Sequence, residues 1–174
     1  MSKHPHFIFL LFLTLASGYG QETKKVDIRQ AASFEVNEKL FPDAKILKSN
    51  REIRVHLHHD GMDIWSDVAY FYETENSFEA EGNVMVKQGD SLELNSEYIE
   101  YSGTTKLAIA KRKVKLENNE SVLRTDSLFF DRRKQEAYYQ TTGEITSEET
   151  VIRSQSGTYV VDDKKYEFIS DVVV

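Results

Sequence analysis

The sequence predicts an all-β fold of antiparallel strands, and three observations lead there. A unit of about 30 residues recurs four times between Met62 and Val174, a period that means stacked supersecondary units sharing one core. Apolar and polar residues alternate through the second half of each unit, the period-two pattern of half-buried strands. Short clusters of Gly, Asn, Asp and Ser separate these runs and suit the tight connections that make neighbouring strands antiparallel. Helical periodicity is absent beyond the first twenty residues.

Each unit opens on a hydroxyl–acid step or its variant: Ser66-Asp67, Ser96-Glu97, Thr125-Asp126 and Ser154-Gln155. The fifth residue after each hydroxyl is aromatic: Phe71, Tyr101, Phe130 and Tyr159. Two residues before it stand Ile64, Leu94, Leu123 and Ile152, and three after it Ala69, Ile99, Leu128 and Gly157. The columns before and after the step differ in parity, so a straight strand would point them to opposite faces. One extra residue would restore a common face, and the step is therefore expected to be a bulge or bend.

The second halves give Phe78, Ala80, Gly82, Val84 and Val86, then Ala108, Ala110, Arg112, Val114 and Leu116. The third unit gives Ala137, Tyr139, Thr141 and, past a two-residue insertion, Ile145; the fourth gives Tyr166, Phe168, Ser170, Val172 and Val174. A degenerate earlier unit fits at Leu47, Ser49, Arg51, Ile53, Val55 and Leu57. Connections are expected at 73–76, 88–90, 102–104, 118–120, 131–134 and 162–165.

Residues 1–20 read as a cleaved export signal: Lys3, an apolar run from Phe7 to Ala16, then Gly18-Tyr19-Gly20 before Gln21. The run is too short to span a bilayer. The expected mature chain is one exported domain, residues 21–174, cut near Gly20. With no cysteine, neither a disulfide nor a lipid-modified N-terminus is expected. The formal net charge is −7, and losing Lys3 with the leader makes the mature chain more acidic. That balance argues against nucleic acid as a partner. The apolar strand from Tyr166 to Val174 stops without a turn or polar tail. Two readings stay open there: the edge pairs with another chain, or the polypeptide continues beyond this sequence.

No nucleophile–base constellation and no phosphate-cradling glycine loop is present, so neither an enzyme nor a cofactor is expected. His56, His58, His59 and Asp60 have metal-ligand chemistry, but His56 and His58 point opposite to Val55 and Leu57 and suit a solvated edge; no metal is expected. The acids Asp67, Glu97 and Asp126 recur in register, as a structural repeat would, rather than converging as a glycosidase pair. Trp65 either caps a mouth or covers the sheet.

The runs Phe41-Pro42-Asp43-Ala44, Leu47-Lys48-Ser49-Asn50, His59-Asp60-Gly61, Ser66 to Tyr72, Phe78 to Val84 and Gln88 to Leu92 together resemble the OstA-like proteins. These are the LptA-type family of periplasmic lipopolysaccharide transport, and the likeness runs over about residues 26–174. The resemblance implies an antiparallel β-jellyroll of two sheets in an open V, a β-taco, whose interior holds lipid A acyl chains. It implies periplasmic location and partner Lpt-type subunits joined through the end strands, with head-to-tail self-association through the same edges. The Gly82-Asn83-Val84 signature becomes Arg112-Lys113-Val114, Gly143-Glu144-Ile145 and Ser170-Asp171-Val172 in later units. Arg112, in an otherwise inward column, would interrupt the groove unless it snorkels to the mouth.

Acyl chains bind by leaving water, at roughly 0.8 kcal/mol per methylene, and need a long apolar trough rather than a reactive group. The expected groove residues are Ile64, Phe71, Phe78, Val84, Leu94, Ile99, Tyr101, Val114, Leu123, Leu128, Phe130, Tyr139, Ile152, Tyr159 and Phe168. The expected docking edge is Phe168, Val172 and Val174. The rival readings are a filled structural β-repeat of a surface protein, with no lipid, and a carbohydrate-processing enzyme.

Overall fold

The computed structural model describes residues 24–173 except 91, 119, 161–164, 170 and 171. The expected leader, the cleavage point near Gly20 and the docking residue Val174 lie outside the described residues. Those described form one antiparallel, unclosed sheet with four long strands at its centre, β7 (Ser77–Gln88), β8 (Leu92–Ser102), β9 (Leu107–Asn118) and β10 (Ser121–Asp131), paired in that order.

Each long strand bends midway, and the pairing register slips there: between Glu81 and Val84, between Asn95 and Tyr98, and between Thr125 and Ser127. The bends divide the sheet into two walls. The first holds β1 (Asp27–Gln30), β4 (Val55–His59), β5 (Met62–Ser66), one half of each long strand, β12 (Gly143–Ser147) and β13 (Val151–Ser154). The second holds β2 (Ser33–Val36), β3 (Ala44–Lys48), β6 (Val68–Tyr72), the other halves, β11 (Glu136–Tyr139), β14 (Ser156–Val160) and β15 (Lys165–Ile169).

The repeated hydroxyl makes the bend. Ser66, Ser96, Thr125 and Ser154 are all buried; each serine donates its hydroxyl proton to the carbonyl two residues on, at 2.9, 3.0 and 3.0 Å, while Thr125 lies 3.4 Å from the Ser127 carbonyl and nearer, at 3.2 Å, to that of Thr142. A carbonyl turned out of the ladder by the bulge is thereby satisfied. The residue between, Asp67, Glu97, Asp126 or Gln155, is the extra one, and parity recovers beyond it as expected. The facing strand bends on left-handed backbone, with φ of 75° at Gly82 and 45° at Asn83. Glycine suits this turn because a methyl on Gly82 would sit 2.5 Å from Asp67 Oδ2, besides the cost of positive φ for a side chain.

Arg112 and Lys113 occupy the corresponding place on β9, with φ of 65° and 54°. Here the expectation needs correcting: Arg112 is exposed at the bend, paired with Glu81 and Glu97, and its guanidinium lies 5.3 Å from the Tyr98 ring centre. The two left-handed residues carry it out of the inward column, so the interior is not interrupted.

Side chains of both walls meet in one apolar core that includes Leu47, Val55, Leu57, Ala69, Val84, Val114 and Leu128. The degenerate early unit needs correcting: Leu47 lies in β3 and Val55 and Leu57 in β4, all three fully buried, but Ser49, Arg51 and Ile53 belong to the connection between them, so the expected single run is two strands in different walls. A separate cluster covers the outer face of the second wall, where Ile46 pairs with Tyr70 and Phe41 packs on Tyr70 with ring centres 4.5 Å apart.

Candidate functional site

All the expected groove residues lie on strands of the two walls, but access to them is unequal. Ile64, Phe71, Phe78, Val84, Ile99, Tyr101, Val114, Leu128 and Tyr139 are closed from water, none more than 7 % exposed. Leu94, Leu123, Phe130, Ile152, Tyr159 and Phe168 are half-buried. The expected positions on β5 to β7 are all packed shut; from β8 onward closed and partly open positions alternate, with Leu128 on β10 and Tyr139 on β11 closed between the half-buried Leu94, Leu123, Phe130, Ile152, Tyr159 and Phe168.

Tyr139 has a particular duty among the closed positions. Its hydroxyl lies 2.7 Å from Ser154 Oγ; because Ser154 already donates to Ser156, Tyr139 is the donor. Gly143 and Gly157 make room for the ring, since a methyl on either would come within 2.4 or 2.6 Å of Tyr139 atoms. Tyr139 thus fills the crease between the walls beside the fourth bend.

The N-terminal end is held by groups whose part the sequence reading did not foresee. Ahead of the first repeat, β1 runs antiparallel to β4 with Ile28 opposite Leu57. Val26 is 5 % exposed and belongs to the core, with Ile28 and Ala31 packed against it. Asn76, on the β6–β7 turn of the second wall, ties down the start of this segment: its Oδ1 accepts from the Val26 amide at 2.7 Å and its Nδ2 donates to the Lys24 carbonyl at 3.0 Å. At its far end the Ala32 amide donates to the Lys48 carbonyl on β3. Residues 24–32 therefore strap one wall to the other at both ends.

Next to the strap, the β4–β5 turn of the first wall meets the β10–β11 turn of the second. Arg132 forms an ion pair with Asp60, donates to His59 Nε2 at 2.7 Å and reaches the Tyr101 hydroxyl at 3.3 Å. Lys24 pairs with the same Asp60. The His59 ring lies 4.6 Å from that of Tyr101. Arginine has no acceptor, so Nε2 must accept and the neutral ring carries its proton on Nδ1. That buried nitrogen makes no hydrogen bond of ordinary geometry among the described residues, although the Lys25 backbone lies close enough to favour a proton on the ring. Burial pushes the His59 pKa below 6.5, with Arg132, Lys106 and His58 acting in the same direction and the Lys25 backbone opposing them. Burial also lowers the pKa of Arg132. Only the alternation that buries Val55, Leu57 and His59 on one face hinted at this cluster.

His56 and His58 stand on the outer face, as expected, and both bond Asp63 Oδ1, at 2.7 and 3.0 Å. Those bonds, that from His58 first, hold the Asp63 carboxyl below its ordinary range. No group of three metal-ligating side chains occurs among the described residues. Trp65 stacks on His56 with ring centres 4.6 Å apart and covers the outside of the first wall. Asp67 accepts from Asn83 at 2.7 Å, Glu97 pairs with Lys113 and Arg112, and Asp126 is exposed. Each acid marks a different bend.

At the chain's end, Ile169, Val172 and Val173 are 62, 44 and 60 % exposed, and Val173 exchanges two 2.9 Å backbone bonds with Arg153 of β13. β15 thus pairs within the second wall while Val173 pairs with the first. Phe34 and Val36 on β2 are 61 and 66 % exposed at the opposite edge.

Residues 23–174 match the family model described as OstA-like protein. The chain belongs to the OstA-like family. A solved structure shares the fold of this OstA-like chain: LptH of Pseudomonas aeruginosa, described as the LptA homologous periplasmic component of the conserved lipopolysaccharide transport device. The two are 10 % identical with a TM-score of 0.57, and the match covers 65 % of this chain and 94 % of the other. The fold is thus the LptA-type β-jellyroll. No curated protein matches the OstA-like sequence.

Proposed function

We propose that this OstA-like protein is a non-enzymatic periplasmic carrier, exported by a leader cut near Gly20, that holds the acyl chains of lipopolysaccharide between its walls on the way to the outer membrane. The observation that carries this reading is the half-open state of Leu94, Leu123, Phe130, Ile152, Tyr159 and Phe168. Apolar side chains between two walls normally complete a close-packed core. Six left partly wet form an apolar surface that gains free energy when a hydrocarbon covers it; ten methylenes would contribute about 8 kcal/mol before the cost of ordering. The unclosed V lets the polar head remain in water. Membership in the family and the likeness to LptH support the lipid's identity. Partner subunits dock through the exposed end strands by strand addition, Phe168, Val172 and Val174 at one end and β2 at the other.

A photo-crosslinker placed at Phe130 in a Gram-negative host is expected to capture lipopolysaccharide. Silence there and at Leu123, Ile152 and Tyr159 would reject the carrier. The second reading, a filled structural repeat, draws on the closed packing of the early strands, which bind nothing as they stand.

A further inference from the structure

We infer that Tyr139 is the floor of the trough: its ring closes the crease beside the fourth bend and sets how long an acyl chain the walls accept. The inference rests on the lipid-carrier reading and adds the residue that selects chain length. Three observations carry it.

Position comes first. In β11, Ala137 stands opposite Phe130 and Tyr139 opposite Gly157. On the first wall Gly143 stands opposite Thr125 and Ser154, and two residues on Ile145 stands opposite Leu123 and Ile152. Residues two apart on a strand share a face, so each wall carries two successive interior rows here. The rows nearer the rims hold Phe130, Ala137, Leu123 and Ile152, all half-buried. The rows at the crease hold Tyr139, 4 % exposed, with Gly143, Gly157 and Ser154, all buried. Partly wet apolar sides thus descend to a closed bottom.

Second, bulk has moved into the crease. The residues that correspond to Ala137 and Tyr139 are Phe78 and Ala80 in the first unit, and Ala108 and Ala110 in the second. On the other wall the register sets Val84 and Val114 in the row where the third unit has Gly143. The first unit is large at the side and small at the crease; the third reverses that order. It therefore blocks the bottom and lines the side of its own strand with only a methyl.

Third, the ring is fixed. Its hydroxyl donates to Ser154 across the crease at 2.7 Å. The backbones of Gly143 and Gly157 lie so close that a methyl on either would come within 2.4 or 2.6 Å of Tyr139 atoms. Turning the ring aside would break the bond and leave a buried hydroxyl unpaired. A chain tip that reaches Tyr139 stops there, while the polar head stays outside the mouth.

The test measures chain-length preference. Octanoate, decanoate, laurate, myristate and palmitate, each below its micellar concentration, are titrated calorimetrically into the purified full chain. Affinity for the unaltered chain is expected to rise about fourfold with each methylene up to one length, and no further beyond it. Tyr139→Ala empties the floor, leaving an apolar cavity of the kind that accepts hydrocarbon, and should move that limit to a longer acid. Tyr139→Phe keeps the ring and should leave the limit where it was. Ala137→Leu fills the side above the ring and should move the limit to a shorter acid.

An affinity that climbs through palmitate without a limit overturns the floor and leaves the carrier standing. So does a folded Tyr139→Ala that only weakens every acid alike, as a merely structural tyrosine would. If Tyr139→Ala loses the circular dichroism of a β protein, Ala137→Leu decides, and an unmoved limit there overturns the floor. No binding of any acid by the unaltered chain overturns both floor and carrier.

Discussion

At the scale of single residues, the recurring hydroxyl is the most consequential choice in this sequence. Its identity and spacing were visible directly, as was the parity break that demanded a bulge. The sequence could not show that the three serines would make the same bond, to the carbonyl two residues on, while Thr125 lies nearer the Thr142 carbonyl. Ser66→Ala leaves the Val68 carbonyl without that donor in a buried bend, and a loss of about 1 kcal/mol is expected, read from the urea midpoint at unchanged slope. His59 was harder to read, because its partner Arg132 is remote in sequence and binds it only across the folded mouth. Its folded pKa lies below the 6.5 of a free ring, so the unfolded state takes up its proton first. Stability then falls as pH drops below about 6.5 and levels off once the folded form also protonates. His59→Gln, which keeps an acceptor towards Arg132, should flatten the change in urea midpoint between pH 7.5 and 5.5; an unchanged slope would mean that other groups govern it.

At the scale of strands, alternation located β5 to β10 because each buries one face, but in the degenerate unit it breaks down at residues 49–54, which connect β3 to β4. The first two strands escaped that reading. β2, with its Ser-Phe-Glu-Val sequence, is exposed at all four positions, so burial imposed no pattern on it. β1 contributes Ile28 alone to the core, and pairing rather than alternation places it. The bend at Arg112-Lys113 also misled, since nothing local marks two charged residues as left-handed. Exposed Phe34 and Val36 give β2 an adhesive edge of the sort proteins usually blunt. Phe34→Lys with Val36→Lys is therefore expected to abolish concentration-dependent association in sedimentation velocity, while circular dichroism stays that of a β protein. Association that persists unchanged would mean that β2 is not the docking strand.

At the scale of the whole molecule, the repeats build two walls from one folded sheet, and the walls differ along their length. Fold class and family were legible because strand pattern, bend spacing and turn chemistry all agree. The interior columns were legible as a set, yet their division into packed and half-open positions was not. That division depends on contacts between strands distant in sequence, which no periodicity encodes. An apolar surface held half-open is stable in water only at a cost of about 25 cal/mol for each Å² left wet, and an occupant removes that cost.

The most direct measurement is organic extraction of the protein purified from a lipopolysaccharide-producing host, with the extract identified by mass spectrometry. An acylated saccharolipid recovered at close to one per chain is the expected result, sharply reduced when Phe130 and Ile152 are changed to Asp. An extract free of lipid, together with no binding of added lipopolysaccharide by the purified chain, would contradict the account.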